Sequence, residues 1–208
     1  MGFAQILNCP TDDTSLSEEL GQDEIKSIAS TMTHNSRLLI RMVMMLFDSS
    51  DNGKAETANC DKREMVACND VCQVALKFTT KNHPDIPVEY KTELADDFCI
   101  HTNFRYLEYS LEELLSNAVR YSDQQHISLH VTRNEEFVRF VVQDTGNGIA
   151  EADRDNIFKF FTKVDDFSEG LGLGLPLTKR HAETLGGNLI LDTTYHEGSR
   201  FFFEIPVA

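Results

Sequence analysis

Three groups of side chains within residues 113–177 have types and spacings that suit one elongated ligand. Glu113, Asn117 and Tyr121 recur at every fourth position, and on a helix that spacing stacks a carboxylate, an amide and an aromatic ring along one stripe. Asp144 ends the strand-like run 137–143 and is followed by Thr145, Gly146, Asn147, Gly148 and Ile149. A carboxylate at a strand end suits an amino group, and the glycines let the backbone turn back beneath it. Gly170, Gly172 and Gly174 alternate with Leu171 and Leu173 and open a helical stretch. Backbone N–H groups of a glycine run leading into a helix suit phosphates. An amine acceptor followed by a phosphate cradle has the order of a nucleotide.

The elements that must hold these groups are legible from periodicity. Phe104, Leu107, Leu111, Leu114, Leu115 and Ala118 recur at steps of three and four, which predicts a helix over residues 103–121 with Thr102 or Asn103 as N-cap. Residues 63–80 read as another helix, and residues 86–94 as a strand pointing toward Cys99 and Ile100. Ile127, Leu129 and Val131 alternate with polar neighbours, as do Val138, Phe140 and Val142, predicting paired strands joined near Asn134. A helix over 175–185 carries Pro176 in its first turn and stops at Gly186 and Gly187. Residues 188–192 and 200–207 close the sheet as a hairpin. The pattern is one mixed sheet with helices on one face, an α+β two-layer sandwich.

Upstream, Ile25, Met32, Leu39 and Leu46 are spaced by seven, with a second row at Ile28, Asn35 and Met42. This heptad seam predicts a long helix over residues 23–48 that needs a partner helix or another chain. Residues 51–57, rich in turn formers, are the best boundary, giving domains 1–52 and 53–208.

Composition narrows the partners. The hydrophobic fraction of 41% supports a core, and the net charge of −15 disfavours nucleic acid or an anionic membrane surface. A triphosphate here must be held by local donors and a metal ion. The longest apolar stretch, residues 38–47, is interrupted by Arg41 and too short to span a bilayer, and no signal peptide is visible. The five cysteines show no Cys-x-x-Cys pair and read as buried or reduced thiols, which points to the cytoplasm.

The motifs around Asn117, Asp144 and the 170–174 glycines resemble, in order, the N box and two glycine boxes of the GHKL ATPase superfamily. Between them Ile157, Phe158, Phe160, Phe161 and Lys163 resemble the F box of sensor histidine kinases. The resemblance implies the Bergerat-type ATP-binding fold, with ATP and Mg²⁺ as ligands. It implies that Asp144 accepts a hydrogen bond from the adenine amine, with Gly146, Gly148 and Ile149 beneath the base and Tyr121 lining its pocket. Asn117 becomes the Mg²⁺ ligand, and Arg120 and Lys163 touch phosphates. Gly170, Leu171, Gly172, Leu173 and Gly174 form the phosphate loop, and a lid extends over residues 145–174, with Phe158 and Phe161 anchoring it to the core. Read without the resemblance, Asp144 also fits a cap on its own turn, Asn117 a helix-surface amide and Arg120 a solvated charge.

Glu113 departs from the kinase pattern, which has asparagine there; relatives that hydrolyse ATP carry glutamate to activate water. Its role stays open between ordering a metal-bound water and slow hydrolysis. His34 is followed by neither the acid nor the proline of the family's phosphoacceptor motif. Residues 1–52 instead resemble the end of the first helix, the loop and the second helix of a dimerisation and phosphoacceptor hairpin, which places the acceptor histidine upstream of Met1. The implied function is a cytoplasmic sensor-kinase fragment, with the full-length protein anchored in the inner membrane or not. It would form a weak homodimer through the truncated bundle and pass phosphate to a response-regulator receiver domain. The competing readings are a nucleotide-gated clamp or chaperone of the same superfamily, and a non-catalytic ATP-binding signalling module.

Overall fold

The computed structural model describes residues 63–122, 126–162 and 172–207, together with Ile28 and Met32, both helical. The chain divides into two compact units, Met1–Gly53 and Lys54–Ala208. The heptad seam apart from Ile28 and Met32, His34, the 51–57 linker, Lys163, Gly170 and Leu171 lie outside the described residues.

In the second unit the chain runs β1 (Glu64–Ala67), α1 (Cys68–Asn82), β2 (Val88–Thr92), β3 (Cys99–Thr102), α2 (Phe104–Tyr121), β4 (Ile127–Arg133), β5 (Phe137–Asp144), α3 (Gly174–Thr184), β6 (Asn188–Leu191) and β7 (Arg200–Pro206). A short 3₁₀ turn, Glu151–Asp153, follows β5. The main sheet has the order β2-β4-β5-β7-β6. β2 is parallel to β4, and every other pairing is antiparallel.

One face of this sheet makes the core. Along β5 and β7 exposure alternates residue by residue, so Val138, Phe140, Val142 and Asp144 are buried beside Phe201, Phe203 and Ile205. Such alternation belongs to a sheet covered on one face only. Phe140 and Phe203 are cross-strand partners whose rings meet edge to face at 6.3 Å. The cover is helical. α2 buries Leu107, Leu111, Leu114, Leu115, Ala118 and Val119, leaving its Glu113–Tyr121 stripe facing away from the core. Its start follows the sequence expectation: the Asn103 side chain accepts from the Tyr106 N–H at 3.1 Å, satisfying one orphan donor of the first turn. Cys68 and Cys72 are buried free thiols, and burial pushes each up to about 12, so both stay protonated and unreactive.

Two expectations need correction. The helix read over 63–80 begins only at Cys68, because Glu64–Ala67 pairs antiparallel with Cys99–Thr102 in a separate two-stranded sheet. Four residues carry too little periodicity to separate strand from helix, and the helix start at Ala67 has no capping side chain to mark it. There are consequently two sheets in place of one, and Cys99 belongs to the smaller.

The core assignment is testable. Phe203→Ala should cost about 3–5 kcal/mol of stability, and Val141→Ala on the open face less than half as much. Urea titration with equal losses at the two sites would show that the buried face has been misplaced.

Candidate functional site

Asp144 is the last residue of β5 and only 4% exposed. Its Oδ1 accepts two backbone bonds, from Gly146 N–H at 2.9 Å and Ser199 N–H at 3.1 Å. Burial pushes this carboxyl above its ordinary value of 3.8, and the two N–H donors and the Ser199 side chain act against that rise. Asp144 thus does cap its own turn. Both backbone bonds fall on Oδ1, and a carboxylate with about four lone-pair sites keeps acceptor capacity for another donor.

Two helices bring the remaining candidates to this point. Glu113 and Asn117 are half-buried on α2, while Arg120 and Tyr121 at its end are exposed. A Cβ at Gly146 would overlap the Tyr121 carbonyl and lie 2.9 Å from Ser122 Cα, so the turn after β5 rests directly on the end of α2. At the other end of the stripe, a Cβ at Gly174 would overlap the Glu113 carboxylate and lie 2.9 Å from its Cγ. Gly174 is the first residue of α3, whose N-cap Leu173 is buried and provides no capping side chain. The opening of α3, with its outward N–H groups, therefore stands against Glu113. From Glu113 to Tyr121 is eight residues of helix, about 12 Å at 1.5 Å per residue. The stripe is a ruler, with the carboxylate of β5 near its Tyr121 end and the N-terminus of α3 at its Glu113 end, midway along α2.

The loop after β5 is held by other means. Gly148 adopts a left-handed φ of 67°. Ile149 packs against the core, and its carbonyl accepts from Arg154 Nε at 3.4 Å. Ile157 is buried, and Phe158 lies against the core with the Lys179 ammonium 5.0 Å from its ring centroid. Phe161, expected as a second anchor, is 62% exposed. Its φ of 60° is left-handed and its N–H donates to the Gly172 carbonyl at 3.1 Å, a turn that throws the ring outward.

The sequence reading missed Gly198 and Ser199. They appeared only as the hairpin loop before β7, yet the Ser199 N–H donates to the Asp144 carboxylate at 3.1 Å and its carbonyl accepts from the Asp144 N–H at 2.9 Å. The available signal was a Gly-Ser step directly before an alternating strand, which by itself marks any turn. Among the described residues, no three His, Cys, Asp or Glu side chains group to hold a metal, and no helix is long and apolar enough to cross a membrane.

Comparison with known proteins agrees with this architecture. Residues 103–208, slightly more than half of the chain, match the family described as histidine kinase-, DNA gyrase B- and HSP90-like ATPase. The sensory/regulatory protein RpfC of Xanthomonas campestris is 31% identical over 202 residues; these cover 89% of this chain and 27% of RpfC, so the chain spans about a quarter of that relative. The fold resembles that of the Acinetobacter baumannii histidine kinase AdeS, with a TM-score of 0.68 at 20% identity over 90% of this chain and 86% of that one. It also resembles full-length ShkA, solved in complex with AMPPNP, with a TM-score of 0.60 at 28% identity over 71% of this chain and 31% of ShkA. With its mixed five-stranded sheet, and with Asp144 and the start of α3 set at the two ends of the Glu113–Tyr121 stripe, the chain belongs to the histidine kinase-, DNA gyrase B- and HSP90-like ATPase family.

Proposed function

We propose that residues 53–208 are the catalytic ATP-binding domain of a two-component sensor histidine kinase, and that residues 1–52 contribute to its helical dimerisation bundle. The observation that carries the reading is the spacing along the Glu113–Tyr121 stripe of α2, with a buried carboxylate beside one end of the stripe and the N-terminus of α3 at the other. An extended nucleoside triphosphate has this order of needs: an amine at the base, charge at the tail.

In this reading the adenine amine donates to the Asp144 carboxylate, Tyr121 lines the base, and Gly146, Gly148 and Ile149 lie beneath it. The first-turn N–H groups of α3 and the glycines leading into it take the phosphates, helped by Arg120 and Lys163. Mg²⁺ fits the chemistry of Asn117, a hard neutral oxygen, because this ion keeps several waters and takes other ligands from phosphate. Bound there, Mg²⁺ would neutralise charge on the phosphates during transfer. The reaction breaks the bond between the β–γ bridging oxygen and the γ-phosphorus, forms a phosphorus–nitrogen bond to histidine, and releases ADP. A response-regulator aspartate then takes the phosphoryl group. The F-box residues, the heptad spacing upstream and the histidine kinase names among its relatives support this assignment over a superfamily clamp.

A second activity is favoured by one contact. The Glu113 carboxylate lies against Gly174, at the phosphate end of the stripe, where a base for water would stand. Slow hydrolysis of ATP by the isolated chain is therefore part of the proposal.

Asp144→Asn is the sharpest test. The amide oxygen would keep the two backbone N–H donors, which turns the NH₂ toward the adenine amine, donor against donor. Loss of one charge-assisted hydrogen bond predicts ATP binding weaker by about ten- to a hundredfold. Equal affinities of the two proteins in titration calorimetry would remove Asp144 from the site.

Acidity gives an independent reading. Adenosine, which has no phosphate to titrate, should lose affinity as pH falls through a value above the ordinary 3.8, because a protonated Asp144 no longer accepts. Linkage runs the opposite way for folding: a raised carboxyl pKa makes the native state bind its proton more tightly, so Asp144's own contribution to stability rises as pH falls. An adenosine affinity that stays flat until pH 3.8 is reached, measured on protein still folded by circular dichroism, would contradict this account.

Glu113→Gln should retain Mg-ATP binding and lower steady-state phosphate release by about 10²–10⁴-fold. Unchanged release would assign the hydrolysis to another group.

A further inference from the structure

The turn between β6 and β7, residues 192–199, ends in the Ser199 N–H that grips Asp144 Oδ1. The same turn is fastened from the opposite side of the sheet by one cation. Arg200, the first residue of β7, is the cross-strand partner of Gln143, and its Nε donates to Gln143 Oε1 at 2.8 Å. Its Nη1 donates to Asp192 Oδ2 at 3.1 Å, and the guanidinium lies 4.1 Å over the Tyr195 ring. Asp192 in turn holds the bend: its Oδ1 accepts from both the N–H and the hydroxyl of Thr194, at 2.9 and 2.6 Å. The Asp192 carboxyl is held below its usual range, chiefly by the Thr194 hydroxyl and also by Arg200. Arg200 and Asp192 side chains are 30% and 11% exposed, so the pair is partly shielded from water and from salt.

Three strand ends meet at this guanidinium: the close of β5 through Gln143, the close of β6 through Asp192, and the start of β7. A planar fork reaches two acceptors at fixed angles while stacking on a ring, which a lysine cannot do. Directly behind, on the core side, Gly198 is wedged so tightly that a Cβ there would overlap the Asp144 carbonyl and lie 2.8 Å from Gly146 N. Any shift of the turn therefore moves the donor on Asp144.

We propose that Arg200 is a positioning residue for recognition of the nucleotide base, clamping the 192–199 turn so that the Ser199 N–H stays on Oδ1 of Asp144 and the carboxylate stays aimed at the base. This rests on the reading of Asp144 as the base acceptor. Arg200 touches no ligand itself; it acts through Asp192, Gln143 and the turn. The remote clamp sets how sharply adenine is distinguished from a base that offers a carbonyl at the same place.

The test uses the full chain with adenosine, guanosine and Mg-ATP as probes, by titration calorimetry. Arg200→Met and Asp192→Asn should each weaken adenosine and ATP by the same factor, about tenfold, and narrow the preference for adenosine over guanosine. Arg200→Lys should fail to restore it, and the double variant should be no worse than either single one, because both break one clamp. The pH at which adenosine affinity falls should move upward in both variants, since Asp144 loses a donor that favours its charged form; a merely structural loss would not move it. Thermal melts confirm that each variant is folded, with Asp192→Asn as the milder change. Unchanged adenosine affinity and pH profile in both, or a loss confined to ATP, would overturn the proposal. Asp144→Asn, run beside them, separates the two ideas. If that variant binds adenosine normally, the base-acceptor reading falls and the clamp with it. If it binds adenosine weakly while both clamp variants bind it normally, the clamp alone falls.

Discussion

A carboxylate taken out of water at the end of β5 is the constraint on which the rest of this site depends. Burial of an uncompensated charge is costly, and Asp144 is 4% exposed. The structure meets that cost with two backbone donors from different places, Gly146 in the next turn and Ser199 fifty-five residues further on. Supplying the second donor requires β7 to start where it does, which requires the β6–β7 turn to end in Gly198 and Ser199. Supplying the first requires the turn after β5 to press against α2, which only glycine at 146 permits. A single buried charge thus sets the junction of two strands, one turn and one helix end.

The second organising contact is between helices. α2 and α3 meet at Glu113 and Gly174, and again further along, where the Tyr106 and His181 rings stack 4.6 Å apart with Ser110 Oγ 3.4 Å from His181 Nδ1. Two contacts about two turns apart fix both the spacing and the direction of α3 on α2. The N-terminus of α3 is therefore aimed by packing along its length. Its opening N–H groups keep one direction only if the helix cannot drift, because the N-cap Leu173 has no polar side chain to hold them. A chain of net charge −15 has no overall field to attract phosphate, so placed local donors must do that work.

The division between what sequence determines and what folding decides runs along the range of the interactions. Amphipathic periodicity is local, so the helix from Phe104 to Tyr121, a cap at Thr102 or Asn103, the alternating strands β4 and β5, the closing strand β7, and the stop at Gly186 and Gly187 were all legible from local pattern. So were the members of the stripe, because a spacing of four on a helix places Glu113, Asn117 and Tyr121 on one side whatever lies around them. The reasons for glycine at 146 and 174 were not legible as they stand. Gly146 yields space to a backbone carbonyl of α2, and Gly174 yields it to a side chain sixty-one residues away. The tertiary structure alone decided that Glu64–Ala67 leaves its helix to pair with β3, since four residues have no preference strong enough to resist a partner strand. It alone turned Phe161 outward, through a left-handed backbone tied to Gly172, and made Ser199 a partner of Asp144. Each of these depends on a neighbour distant in sequence, and the identity of a distant neighbour is not encoded in local pattern.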